Sequence, residues 1–393
     1  MTSTTVTPAR RIPFARPVLG DEERNAVLEV LGGTILTHGP RVKEFEAAFA
    51  RFTGAPYAVA VNSCTAALHL AYMARGIGPG DEVIVPAQTH VATAHAVELC
   101  GARPVFVDSE PRTGNLDIDQ VESRITERTK AISPVHYLGL SVDMGRVMAI
   151  ARRHSLFVVE DCALALGTHL HGTHAGLHGD VGCFSFYPVK HITTAEGGML
   201  ITRDPKIAAT AAVQRAFGID KNVVSERHVP GAYDVVRLGL NYRLNEIGAA
   251  IGLVQLQRMP DFLRRRRDNA RTLAAALAGI EELEVLQADC DWEQASCYCL
   301  VAALRAPLNR KRFHIVEQLK QRGVETSVYY PKPVPALRYY QHRYGGCESD
   351  YPIATRISAE SMALPVGPHV GPEEIRYIVA AIKETLREAR SHG

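Results

Sequence analysis

The sequence predicts an α/β protein with a mostly parallel sheet and a smaller C-terminal domain. Two observations carry this. Short β-rich runs alternate with helical stretches over the first two-thirds of the chain. From about Asn245 the texture changes to a long stretch rich in Leu, Arg and Ala. At 393 residues the chain is long enough for two sizeable cores.

The strands are read, in order, at 57–61 (YAVAV), 82–87 (EVIVPA), 104–109 (PVFVDS), 131–137 (AISPVHY), 156–161 (LFVVED), 183–188 (CFSFYP) and 198–202 (GMLIT). Helices are expected between them at 65–76, 90–100, 117–128 and 143–154. A polar, glycine-bearing connection separates the last two strands and allows them to run antiparallel. The helical stretch 245–279 is expected to be interrupted by Pro260. Shorter β/α elements follow it, and a helix near 373–390 closes the chain. These features divide the chain into a large domain with an N-terminal arm (1–250) and a small domain (251–393).

Composition bounds the function. Lys+Arg of 44 against Asp+Glu of 42 leaves a formal charge of +2, which argues against nucleic acid or an anionic membrane as the main partner. The N-terminal stretch has no continuous apolar core, so neither a signal peptide nor a membrane span is expected. Eight scattered cysteines without a CxxC pair read as reduced thiols, and a cytoplasmic protein is expected.

In open α/β sheets ligands bind beyond the carboxyl ends of the strands. Strand 57–61 is followed by NSCTAALHLA. There the backbone N–H groups of Cys64 and Thr65, with the hydroxyls of Ser63 and Thr65, suit a phosphate at a helix N-terminus. The same residues also suit a simple N-cap. His90, after strand 82–87, offers a flat face for stacking, or else merely starts a helix. Asp161 ends an apolar strand and demands a partner, for which a protonated ring nitrogen and the cap of the next helix are both candidates. Lys190, following Ser185, is an amine that desolvation would make nucleophilic, able to form a Schiff base with pyridoxal 5′-phosphate (PLP) or a carbonyl substrate. Phosphate seat, stacking face, carboxylate and amine together fit one ligand, PLP.

Six blocks then bring a family into view: THGPRVKEFEAAFA (37–50), NSCTAALHLA (62–71), VIVPAQTHVATAHAVE (83–98), VVEDCALALG (158–167), GDVGCFSFYPVKHITTAEGGMLIT (179–202) and LGLNYRLNEIGAAIGLVQL (238–256). In their order and spacing the chain resembles, from about residue 12 to the C-terminus, the DegT/DnrJ/EryC1/StrS group of PLP-dependent sugar aminotransferases. The resemblance implies the fold-type I, aspartate-aminotransferase-like architecture and a homodimer with active sites shared between subunits. It implies that Lys190 carries the Schiff base, that Asp161 pairs with the pyridine nitrogen, and that Cys64, Thr65 and Ser185 hold the phosphate. Asn241 would reach that phosphate from the neighbouring subunit. His90 stands where the family usually places an aromatic ring. Leu164 stands where it often has Gln or His. Thr37, Arg243, Tyr329 and Tyr330 are placed around the substrate by the same analogy. L-Glutamate is the expected amino donor, and a nucleotide-linked 3- or 4-keto deoxysugar the expected acceptor.

Alternatives within the family are a cyclitol aminotransferase and a dehydratase. The dehydratase branch replaces the Schiff-base lysine by His, whereas Lys190 is present here with His191 next to it. A non-catalytic PLP-binding regulator is the alternative outside catalysis. The histidines 169, 171, 174 and 178 are read as a polar hairpin near the subunit interface and not as a metal site. The RRRR run at 264–267 is read as a solvated helix face, and Trp292 as local packing.

Overall fold

The computed structural model describes residues 10–219 and 233–391. Its strands are β1 (Tyr57–Val61), β2 (Glu82–Pro86), β3 (Arg103–Val107), β4 (Thr129–Ile132), β5 (Phe157–Asp161), the short hairpin β6 (His169–Leu170) and β7 (Thr173–His174), β8 (Val181–Ser185), β9 (Gly198–Thr202), β10 (Leu283–Val285), β11 (Leu300–Leu304) and β12 (Ser361–Leu364). The helices are α1 (Asp21–Leu31), α2 (Pro40–Thr53), α3 (Cys64–Arg75), α4 (Val91–Leu99), α5 (Met144–His154), α6 (Pro205–Gln214), α7 (Glu246–Leu277), α8 (Arg312–Gln321), α9 (Arg338–Tyr344), α10 (Pro352–Glu360) and α11 (Pro372–Ser391).

The central sheet has the order β1-β9-β8-β5-β4-β2-β3. Strand β9 is antiparallel to both its neighbours, and the remaining pairs are parallel. Strands β1, β2, β5 and β8 therefore share one direction, and their carboxyl ends lie on one edge of the sheet. Strands β2, β5 and β9 are buried at every position, so both faces of the sheet are covered there, since successive side chains point to opposite sides. In β5, Val159 joins the core shared with α3, α4 and α6, whereas Val158 joins the one under α5. In β9, Leu200 faces α3, whereas Met199 and Ile201 face the core that holds Phe45 and Phe49 of α2.

A three-stranded antiparallel sheet, β10-β11-β12, packs with α8 and α11 in a second core. Helix α7 joins the two. Ala249, Leu256, Met259 and Phe262 are buried in the large domain, and Leu273, Ala274 and Leu277 in the small one. The N-terminal arm lies on the second core through an Ile12–Val324 bridge. Among the described residues no helix is long and apolar enough to cross a membrane.

All seven expected strands form, those at 57–61 and 198–202 with the expected bounds and the other five with shifted ends. The expected strand 131–137 stops at Ile132. The helix expected at 117–128 is instead two single 3₁₀ turns, Ile118–Gln120 and Glu122–Arg124, the first capped by the Asp117 carboxylate. Pro260 does not interrupt α7. Buried Met259, Phe262 and Leu263 flank it, and their packing carries the helix across the missing N–H.

Candidate active site

A cavity of about 540 Å³ opens at the shared carboxyl edge of β1, β2, β5 and β8. Ten of the thirteen candidate residues line it: Ser63, Cys64, Thr65, His90, Asp161, Leu164, Ser185, Lys190, Tyr329 and Tyr330. The other three lie elsewhere. Thr37 is exposed in the turn before α2. Asn241 is exposed, its side-chain oxygen accepting from Arg243 Nε at 3.1 Å. Arg243 lines a separate cavity with His38 and Lys43.

One end of the cavity is shaped by the turn from β1 into α3. Ser63 is the N-cap, its Oγ accepting from Ala66 N at 3.1 Å. The capping reading of Ser63 therefore holds, and it leaves the amides of Cys64 and Thr65 without an acceptor among the described residues. Two unpaired N–H groups at the positive end of a twelve-residue helix form an anion seat. Gly198 of β9 backs this turn. A Cβ there would lie 2.4 Å from Ser63 C and 2.6 Å from Cys64 N.

Asp161 is 4% exposed at the end of β5. Its Oδ2 accepts from Thr93 Oγ1 at 2.8 Å, and its Oδ1 from Ala163 N at 3.0 Å. Thr89 Oγ1 lies 2.7 Å from Thr93 Oγ1, extending the chain of hydroxyls to the loop after β2. Lys190 is in the β8–β9 loop, where its N–H donates to Tyr187 O at 2.9 Å. Burial lowers the pKa of its amine. The residue is half-buried, open to the cavity but otherwise enclosed.

His90 caps α4, with Nδ1 accepting from Ala92 N at 3.2 Å. It also lines the cavity. Its exposure is to the pocket mouth, where burial, with a contribution from the Lys190 charge, lowers its pKa. Leu164 is 2% exposed and adds only apolar wall. The Tyr329 carbonyl accepts from Gln88 Nε2 at 2.7 Å and from the Tyr137 hydroxyl, which fixes the two tyrosines beyond β2.

An anion seat, a buried carboxylate and an amine on one cavity are what PLP needs for its phosphate, ring nitrogen and aldehyde, so the residues fit that cofactor. A family model for the DegT/DnrJ/EryC1/StrS aminotransferases matches residues 17–383. The chain belongs to this family. It is 38% identical over 377 residues to GDP-perosamine synthase of Caulobacter vibrioides, covering 96% of this chain and 98% of that one. Among solved structures, PseC of Helicobacter pylori, an aminotransferase of pseudoaminic acid biosynthesis, superposes with a TM-score of 0.91 at 30% identity. It covers 96% of this chain and 100% of that one. The putative sugar aminotransferase Spr1654 of Streptococcus pneumoniae superposes in its PLP form with a TM-score of 0.90 at 30% identity. That match covers 96% of this chain and 99% of Spr1654. The fold is thus fold-type I, and the enzyme is a PLP-dependent sugar aminotransferase that works between an amino donor and a sugar acceptor.

Sequence reasoning did not single out Thr89, Thr93 or Tyr298. Thr93 lies inside a quoted block but carries no charge. Tyr298 comes from the small domain, more than a hundred residues beyond Lys190, with no local signal.

The histidine run forms the β6–β7 hairpin, in which His174 is buried and accepts from Gly167 N at 2.9 Å. A different trio, His136, Glu160 and Cys162, brings donor atoms within 4.8 Å of one another. Glu160 already accepts from His136 and three backbone amides, which accounts for the cluster as a hydrogen-bonded one. In the RRRR run, Arg264 and Arg265 pair with Asp261 as a solvated face would. Arg266 departs from that reading, being buried with its guanidinium on the carbonyls of Cys297 and Tyr298. Trp292 is half-buried against the second core.

Proposed function

We propose that the chain transfers an amino group from L-glutamate to the keto carbon of a nucleotide-diphosphate-linked 3- or 4-keto deoxysugar. The observation that carries the reading is the meeting of Lys190, Asp161 and the unpaired Cys64 and Thr65 amides on one cavity. The name of GDP-perosamine synthase supports a nucleotide-linked acceptor.

Lys190 would be the amine that holds the cofactor through its aldehyde. With the cofactor bound, the freed Lys190 amine would take the proton from the donor Cα and return it on the cofactor side, a role its lowered pKa suits. Asp161, held by Thr93 and Ala163, keeps the pyridine nitrogen protonated. Bound PLP supplies a ring that accepts the electron pair left when that proton departs. The Cys64 and Thr65 amides, with Ser63 and Ser185, seat the phosphate, and Asn241 of a second copy completes the seat. His90 covers the ring and Leu164 closes the wall beside it. Tyr329 and Tyr330 line the acceptor side, with Thr37 and Arg243 reaching the substrate across the dimer. Exposed Leu28, Leu31 and Leu238 support an interface with a second copy.

The test is a half-reaction. The holoenzyme is treated with L-glutamate, separated from it, and offered keto-sugar nucleotides one at a time. Recovery of the original visible spectrum by such a nucleotide supports the proposal. Recovery only with a free cyclitol ketone, or no spectral response to glutamate, would sink it.

A further inference from the structure

Among the described residues the Lys190 amine makes no hydrogen bond and no ion pair; it sits over the Tyr298 ring, with Nζ 5.3 Å from the centroid. That ring is held firmly. Tyr298 is 4% exposed, and its N–H donates to Leu138 O at 3.0 Å. Its carbonyl accepts from Arg266 Nη1 at 2.9 Å, and its hydroxyl meets Tyr329 Oη at 2.7 Å. Two residues earlier, Ser296 Oγ donates to Leu164 O at 3.1 Å, and the Ser296 carbonyl accepts from His191 Nε2 at 3.1 Å. The segment 296–298 thus grips the residue after Lys190 through the backbone and meets the Lys190 amine with a ring.

The groups facing that amine are Asp161 from β5, Cys64 at the start of α3, Cys299 next to β11, His90 at the mouth of the pocket and its own neighbour His191. Burial raises the thiols of Cys64 and Cys299 and pushes the Tyr298 phenol up to about 12, so none of these is an anion near neutral pH. The Arg266 guanidinium carbon lies 5.9 Å from the same ring centroid. Tyr298 therefore meets Lys190 through its π face and not as a phenolate.

We propose that Tyr298 is the positioning residue for Lys190: its ring holds the amine at the cavity wall whenever the lysine is not bonded to the cofactor. The inference rests on Lys190 being the cofactor-binding amine. A lysine that must leave its bond and then move a proton has a flexible four-carbon stem to control. A fixed aromatic face confines the amine without a directional hydrogen bond, so the stem is held while the amine stays free to leave the ring. The contact also favours the ammonium, opposing the effect of burial.

The test replaces Tyr298 by Phe and by phenylalanines of increasing ring fluorination, which preserve shape while draining the π face. Two quantities are read. One is the Lys190 pKa in cofactor-free protein, from pH-dependent competitive acetylation followed by mass spectrometry. The other is the pH profile of a single turnover with L-glutamate. Tyr298→Phe, which keeps the ring, should leave the Lys190 pKa near that of wild type. Fluorination should lower the pKa stepwise, by about half a unit to one and a half units in all. The single-turnover profile should move the same way. A flat pKa across the series overturns the proposal, as does Tyr298→Phe proving as damaging as full fluorination. The cofactor-free titration does not depend on which lysine binds PLP, so its failure is distinguishable from failure of the Lys190 assignment.

Discussion

Thr93 donates its hydroxyl hydrogen to Asp161 Oδ2 at 2.8 Å, inside a site where the carboxylate is 4% exposed. Hydrogen bonds to buried charged groups contribute about 1.5–3 kcal/mol, and here the bond also fixes the direction of the carboxylate. Thr93→Val keeps the shape and removes the donor. Turnover should fall by roughly tenfold to a hundredfold with a smaller change in cofactor affinity, read by steady-state kinetics and PLP titration. Wild-type turnover in that variant would show that Asp161 is held by Ala163 alone.

Lys190→Ala tests the amine directly. The visible absorbance that depends on the lysine–cofactor bond should vanish, and turnover should fall by about 10²–10⁴-fold, the usual contribution of a positioned proton carrier. Thermal stability of the cofactor-free protein should change little, because relief of the buried amine offsets the loss of its contact with the Tyr298 ring. Retained absorbance would move the assignment to another lysine.

Gly198→Ala tests the phosphate seat without touching a polar group. Its Cβ would lie 2.4–2.6 Å from backbone atoms of Ser63 and Cys64, which cannot yield without moving the turn into α3. Overpacking of this kind costs about 1–3 kcal/mol. PLP affinity should drop more than that of a control at Gly279, where a Cβ meets nothing within 4 Å. Equal affinities, measured by fluorescence titration, would remove the β9 backing from the account of the seat.

These residues show what a sequence can and cannot disclose. Strand β5 ends on Asp161, and β1, β2 and β8 are followed within five residues by Ser63, His90 and Lys190, so these four were legible as candidates beyond the strand ends. Thr93 and Tyr298 were not, because a hydroxyl within a helix and a ring before a strand are ordinary until the fold places them against Asp161 and Lys190. Pro260 and the segment 117–128 failed for the opposite reason. Local preference was read correctly there, but tertiary packing overrode it in α7, and at 118–124 the chain closes only two single 3₁₀ turns.

His90 couples its cap to pH. Nδ1 can accept from Ala92 N only when unprotonated. Burial holds the folded pKa below 6.5, so between that value and 6.5 the unfolded chain binds a proton that the folded one does not. Stability therefore falls as pH drops through 6.5 and levels off below the folded value. His90→Phe keeps a flat face but loses the cap, costing about 0.5–2 kcal/mol near neutral pH. The gap between variant and wild type in denaturant unfolding should narrow below 6.5, with PLP affinity unchanged. A gap independent of pH would remove His90 as the titrating group.

Glu160, beside Asp161 in β5, governs acid stability. Its Oε2 accepts from His136 Nε2 at 2.8 Å and Gly176 N at 2.7 Å, and its Oε1 from His178 N at 2.8 Å and Gly179 N at 2.6 Å. Burial pushes the carboxyl up, but these bonds, led by His136, prevail and hold it below its ordinary value of 4.5. A depressed carboxyl contributes stability that is complete above 4.5 and is lost as pH falls through the folded value. Glu160→Gln places an amide where one oxygen met two donors, leaving buried N–H groups unpaired at roughly 2–5 kcal/mol in all. The variant should unfold at lower denaturant at neutral pH, and its stability should lack the wild type's acid loss below 4.5. Curves that run parallel through that window would assign the acid loss to a carboxylate other than Glu160.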